Sequence, residues 1–215
     1  KVAIIGRNKE KLAKMSETLT ENAKNEYSKE ATVKGYSCNV LDKEELVKTY
    51  EQIKAELGSC DILINGAGGN QPGAIASVKM LKKEKQEDDY SFWDLKEENI
   101  RNVMDLNYMG TLLPIQVFTR DMVEKRKGSI INIASVSSIL PLSKVMAYSN
   151  AKSAVQSLTQ WLAIHFASAA MPLYQDFMQQ SRTMICYLTK TVPIQTEPET
   201  SLQELLWDVL AIQRS

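Results

Sequence analysis

The chain has 215 residues, the size of one ordinary domain, and can bury a substantial core without staples. Basic and acidic residues balance at 26 each, so no global positive field argues for nucleic acid. Cys38, Cys60 and Cys186 are too few and too widely spaced for a disulfide framework or a metal-ligand pattern, which points to a reducing, cytoplasmic setting.

Val2-Ala3-Ile4-Ile5-Gly6 is a β-branched run closed by glycine and reads as a buried strand. Lys9 to Tyr27 is polar, with Leu12, Met15 and Leu19 at helical spacing. Ala31 to Val40 alternates as a strand does. Asp42 then caps a helix whose apolar stripe is Leu46, Tyr50, Ile53 and Leu57. Asp61 to Asn65 is a second buried strand and ends in Gly66-Ala67-Gly68-Gly69. Lys79 to Tyr90 is charge-rich and reads as a solvated insertion. Glu97 to Arg126 reads as one long helix with Gly110 inside it, Gly128 to Ala134 as a strand, and Tyr148 to His165 as a helix. Strands alternating with helices at this pace predict an α/β fold, a Rossmann-like doubly wound parallel sheet. In such sheets the ligand lies beyond the carboxyl ends of the strands. No apolar run approaches the ~20 residues of a membrane span, and no secretory leader is visible.

Tyr148-Ser149-Asn150-Ala151-Lys152 carries the strongest chemical signal. Residues four apart share one helix face, so phenol and ammonium point the same way. A free tyrosine has a pKa of about 10, and a nearby Lys152 cation is expected to lower it. Tyr148 could then exchange a proton with a substrate oxygen while hydride moves at the adjacent carbon. Alone, the spacing also describes an ordinary exposed pair. Ser135 closes the preceding strand, where its hydroxyl could hold the substrate oxygen; Ser137 and Ser138 are rivals, and any of the three could be a loop cap. Asn107, inside the long helix, is either a solvated amide or a water-bridged partner of Lys152. Asn65, Gly66, Ala67 and Gly68 follow a buried strand, where glycine lets backbone approach a flat ring or a phosphate. The plainer alternative is a tight connection. His165, beside Trp161 and Phe166, reads as a structural histidine. Met104, Met109 and Met146 read as core filler.

In order and spacing, Asn65-Gly66-Ala67-Gly68, Asn107, Ser135, Tyr148 and Lys152 resemble the classical short-chain dehydrogenase/reductase family, from Lys1 to about Ser168. The resemblance implies an NAD(P)-dependent oxidoreductase with a catalytic tetrad of Asn107, Ser135, Tyr148 and Lys152. It also implies that Tyr148 and Lys152 reach the cofactor, Lys152 through the nicotinamide ribose. Cys38-Asn39-Val40 resembles the family's adenine-side loop, with Asn39 where aspartate is commoner; its oxygen can still accept from the adenine amino group. An acid usually marks NAD preference at the end of the second strand. Gly6 and Arg7 stand there instead, and a guanidinium suits the 2′-phosphate of NADP. NADP is therefore the expected cofactor, with NAD the alternative if Arg7 merely stacks on adenine. Gly68-Gly69-Asn70-Gln71-Pro72, Gly110-Thr111-Leu112-Leu113-Pro114 and Thr159 to Phe166 further resemble the family's D-mannonate oxidoreductase (fructuronate reductase) subgroup, which implies a sugar-acid substrate. Relatives commonly assemble as tetramers or dimers through the helices bearing Asn107 and Tyr148, so a homo-oligomer is implied.

Two departures from the family set further expectations. Its opening strand and Gly-rich phosphate loop should precede Lys1, so a gap in mid-sheet is expected. Residues 1–168 then form a partial dinucleotide-binding catalytic domain, and 169–215 an aberrant tail without the family's last strands. From Met171 onward the chain contains no glycine, which is odd for several connections. One synonymous back-translation of Leu205 to Ser215, shifted by one base, reads T-P-M-G-R-F-G-N-P-E-E. Met171 to Phe177 treated likewise reads N-A-I-I-P-G-F. Both are family segments, so the tail is expected to be a frameshifted reading. The alternative is a genuine divergent tail, with Leu202, Leu205, Leu206 and Val209 forming an amphipathic stripe. A complete chain is expected to be active and the 215-residue chain inactive. The competing readings are a non-catalytic dinucleotide-binding or scaffold protein, and a decayed gene product. A binding module has no need of all four tetrad groups, which favours the enzyme.

Overall fold

The computed structural model describes residues 1–27, 31–81, 83–84, 86–140, 142–167, 173–178 and 184–187. They fall into two compact units that divide after Ser59.

In the first unit, β1 (Val2–Gly6) and β2 (Val33–Ser37) pair in parallel through α1 (Lys9–Tyr27). α2 (Lys43–Leu57) follows, capped by Asp42, whose carboxylate accepts from the Glu45 N–H at 3.0 Å. Among the described residues, Tyr36, Cys38, Leu46, Tyr50 and Ile53 are the buried apolar side chains, with Thr49 buried beside them. β2 meets α1 at Gly35, where a Cβ would stand 2.8 Å from Leu12 Cβ and 3.3 Å from its backbone. Because backbone cannot retreat as a side chain can, Gly35→Ala is expected to lower stability by roughly 1–3 kcal/mol, read as a lower urea midpoint at unchanged slope.

In the second unit, β3 (Ile62–Asn65), β4 (Ser129–Ser135) and β5 (Leu173–Met178) run parallel, and β6 (Met184–Tyr187) lies antiparallel on β5. Between β3 and β4 come α3 (Glu97–Met104), α4 (Gly110–Phe118) and α5 (Arg120–Lys125). α6 (Met146–His165) follows β4 and buries Ala147, Ala151, Val155 and Leu162. No strand pairing joins the two sheets among the described residues. None of the described helices is long and apolar enough to cross a membrane.

One expectation needs correction. The spacing of Glu97 to Arg126 predicts one helix, but the backbone widens into a π-helical turn at Asp105–Met109 and breaks again at Thr119. The cause is local. The Asn107 side chain donates to the Val103 carbonyl at 2.8 Å, taking the acceptor its own N–H would use in an α-helix. At the start of the tail, β5 pairs with β4 from Leu173↔Ile130 to Met178↔Ser135. An uncovered β4 would leave a row of backbone polar groups without partners, and a segment holding Leu173, Tyr174, Phe177 and Met178 suits a strand. The amphipathic stripe at Leu202 to Val209 and the frameshifted segment at Leu205 to Ser215 lie outside the described residues.

Candidate active site

β3 and β4 end side by side, with Asn65 opposite Asn132. The glycine turn at Gly66–Gly69 leaves one strand end, and a tight turn at Val136–Ser138 leaves the other just after Ser135. α6 then returns past both, carrying Tyr148 and Lys152 one helical turn apart.

The Ser135 hydroxyl accepts from the Ser137 N–H at 3.2 Å and the Ser137 hydroxyl at 3.0 Å. It also stands close enough to the Tyr148 hydroxyl to favour ionisation of the phenol. Ser138 turns away, donating to the Ser135 carbonyl at 2.5 Å. Ser135 is therefore the serine that faces the phenol, and its two rivals support the turn. The Tyr148 ring packs against the buried cluster of Ala74, Val103 and Ala147.

Lys152 is 3% exposed. Its Nζ donates to the Ile133 carbonyl at 2.7 Å and lies 5.7 Å from the Tyr148 ring centroid. Asn107, fully buried in the π turn, clamps the glycine loop. It donates to the Gly69 carbonyl at 2.7 Å and accepts from the Gly69 N–H at 3.2 Å. A Cβ on Gly68 would lie 2.6 Å from Asn107 Oδ1 and 3.3 Å from Lys152 Nζ. The missing side chain of Gly68 thus lets Asn107 and Lys152 pack closely against the glycine turn, and Lys152 in turn lies beside the Tyr148 ring.

The electrostatics differ from the expectation. Burial holds the Tyr148 phenol above its ordinary value, and the neighbouring Ser135 hydroxyl only partly offsets this. Lys152 does not supply the expected lowering, because its ammonium is turned to the Ile133 carbonyl and is itself pushed down to about 8 by burial. The unfolded chain, with lysine at 10.5, binds the extra proton between about pH 8 and 10.5. Charging buried Lys152 costs stability below that window, and stability rises with pH across it. Lys152→Met is expected to flatten this rise in urea midpoints measured from neutral to alkaline pH.

Two further residues, Asn132 and Thr159, join Asn65 in a way that spacing alone does not reveal. Asn65 Nδ2 donates to Asn132 Oδ1 at 2.9 Å, and Asn132 Nδ2 donates to Thr159 Oγ1 at 2.9 Å. Thr159 donates to the Val155 carbonyl at 2.8 Å. All three side chains are buried. The glycine-turn motif predicts that Asn65 faces a cofactor; its side chain instead braces the sheet, leaving its backbone for any ligand. The available signal is an amide in the middle of Ile130-Ile131-Asn132-Ile133, because a buried amide requires partners.

In the first unit, Arg7 is exposed at the end of β1, beside an open depression bordered by Asn8, Lys9 and Glu10. Asn39 and Val40 follow β2. The Asn39 N–H donates to Glu45 at 2.9 Å, and its side-chain oxygen accepts from the Leu41 N–H at 3.2 Å. That oxygen keeps a second lone pair for another donor. His165, at the end of α6, stacks on Trp161 at 4.4 Å.

The family model for short chain dehydrogenases matches residues 1–170. The chain belongs to the short-chain dehydrogenase family. It is 44% identical over 138 residues to an uncharacterized oxidoreductase of Haemophilus influenzae, covering 64% of this chain and 48% of the relative. An uncharacterized oxidoreductase of Bacillus subtilis is 35% identical over 171 residues, covering 80% of this chain and 58% of the relative. The chain therefore spans about half the length of the curated relatives it matches. Among solved structures, it resembles a Haemophilus influenzae protein named for a proposed D-mannonate oxidoreductase activity and solved with bound NAD. That match has a TM-score of 0.68 and 34% identity, over 84% of this chain and 72% of the other. An NAD⁺-bound xylitol dehydrogenase, at 23% identity and TM-score 0.65 over 80% of this chain and 60% of the other, shows the same fold.

Proposed function

We propose that this protein transfers a hydride between a nicotinamide dinucleotide and a hydroxyl or carbonyl carbon of a small sugar acid related to D-mannonate. The observation that carries the proposal is the Tyr148 phenol, eased by the neighbouring Ser135 hydroxyl, with buried Lys152 close by and packed against Gly68 of the glycine turn.

Those residues fit the nicotinamide half of such a cofactor. The cradle at Gly68 is one that a Cβ would fill, and Lys152 presents donors beside it. Arg7, Asn39 and Val40 are assigned to the adenosine half. Arg7 favours a 2′-phosphate and hence NADP, whereas the relative solved with NAD supports the alternative. When bound, the nicotinamide gives or takes the hydride.

The chain's own groups manage the oxygen. Ser135 holds it in hydrogen-bond reach of Tyr148, and Tyr148 passes a proton to it as the carbonyl is reduced. A phenol raised by burial stays protonated at neutral pH, which suits an acid. In the reverse direction the same oxygen returns its proton to the phenolate, and the Ser135 hydroxyl eases the formation of that anion. Asn107 keeps the glycine loop closed against the reacting face.

The test is consumption of reduced nicotinamide by the full-length gene product, offered D-fructuronate and neutral ketoses with NADPH or NADH. Turnover of a carbonyl substrate with either cofactor is expected. Failure with every carbonyl substrate and both cofactors would overturn the proposal.

A further inference from the structure

We infer that Lys144 selects the substrate: its ammonium binds a carboxylate, so the enzyme takes hydroxy or keto acids in preference to neutral polyols. This rests on the hydride-transfer reading above and names the residue that defines its substrate class.

Two segments frame the site: Ile62 to Val78, which begins with β3, and Ser129 to Ala151, which leads into α6. Within those bounds the one charged residue is Lys144, and the site's own Lys152 follows directly. Every other group in them is apolar, a hydroxyl, an amide or glycine. Lys144 stands four residues before Tyr148 and nine after Ser135, at the entrance of α6. It is only partly exposed, and its ammonium has no hydrogen bond or ion pair with the described residues.

The two segments are fastened together where Lys144 sits. The Ala76 N–H donates to the Lys144 carbonyl at 2.9 Å, and neighbouring Ala74 packs in the cluster that holds the Tyr148 ring. Lys144 is therefore fixed at its backbone beside the segment that supplies Ala74 to the Tyr148 cluster, with its side chain partly exposed. Ile139, Leu140 and Leu142, at 55%, 56% and 42% exposure, lie between Ser135 and Lys144 in the chain. A lone cation beside exposed apolar side chains attracts an anion more strongly than one in open water. It carries one charge and no guanidinium fork, which matches a carboxylate better than a phosphate dianion.

Removing the ammonium should cost the enzyme one charge-assisted hydrogen bond to its substrate. With the full-length gene product, Lys144→Met should raise KM for D-mannonate about tenfold to a hundredfold while kcat changes little. Activity on D-mannitol, which replaces the carboxylate with a hydroxymethyl group, should stay near wild type. Lys144→Arg should restore most of the affinity for D-mannonate. Calorimetric binding of D-mannonate to the cofactor-loaded protein gives a second readout, weakened in Lys144→Met and recovered in Lys144→Arg. A Lys144→Met protein with unchanged KM for D-mannonate, or with D-mannitol weakened equally, would overturn the inference. So would a wild type that uses D-mannitol as well as D-mannonate, or that prefers a phosphorylated sugar, although hydride transfer would still stand. Absence of turnover on all of these with both cofactors would sink both proposals together.

Discussion

Tyr148→Phe is expected to cut turnover by ~10²–10⁴-fold, the range supplied by a positioned acid–base group, and to leave cofactor affinity nearly unchanged. The substitution is clean. The ring keeps its packing against Ala74, Val103 and Ala147 and its place near Lys152 Nζ. Only the hydroxyl is lost, and with it the interaction with Ser135. Stability should therefore change little, since a phenol in a burial-raised state gains modestly from its polar partner. Ser135→Ala should also slow the reaction. The double variant should be less impaired than the product of the two single effects, because both groups act on one oxygen. Steady-state rates and cofactor titration by fluorescence decide the matter. Wild-type rates in Tyr148→Phe would end its assignment as the proton donor.

Gly68→Ala is expected to slow turnover by roughly 10²-fold, the scale at which a misplacement near 1 Å acts, while secondary structure persists. One methyl group would arrive 2.6 Å from Asn107 Oδ1 and 3.3 Å from Lys152 Nζ. Neither neighbour is free to yield. Asn107 is fully buried and bonded on both sides of its amide to Gly69 and Val103, and Lys152 is held by the Ile133 carbonyl. The loop itself must move, opening the turn against the reacting face. The measurement is kcat and KM for both substrates beside a circular dichroism melt. A Gly68→Ala protein with native kinetics would show that the open space has no part in the reaction.

The parts of this site that a reader of the sequence can find are those set by fixed spacing. Tyr148 and Lys152 are one helical turn apart whatever surrounds them, and a β-branched run closed by glycines marks β3 with its turn. What escapes such reading is set by partners distant in the chain. The bond between Asn107 and Gly69 spans 38 residues, and Asn107 sits where an expected straight helix opens into a π turn. The direction of the phenol's shift depends on how deeply α6 packs, which spacing does not reveal. Asn132 looks like an interruption in an apolar strand until Asn65 and Thr159, 67 and 27 residues away, supply its partners. Ser135 can be told from Ser137 and Ser138 only once the turn after β4 places all three.

The amide pair between β3 and β4 has an effect beyond tidiness. Sliding one strand past the other by a single residue would set Asn132 against Ile64 and turn alternate side chains to the opposite layer. Asn65, Asn132 and Thr159 thus work as a dowel that admits one alignment of two strands and a helix. The heights of Gly68 and Ser135 are consequently decided in the dry interior rather than by the loops that carry them. Rim segments such as Ser77 to Lys96 are then at liberty to lengthen or change composition, so a new substrate could be accommodated without detuning the proton-transfer machinery below.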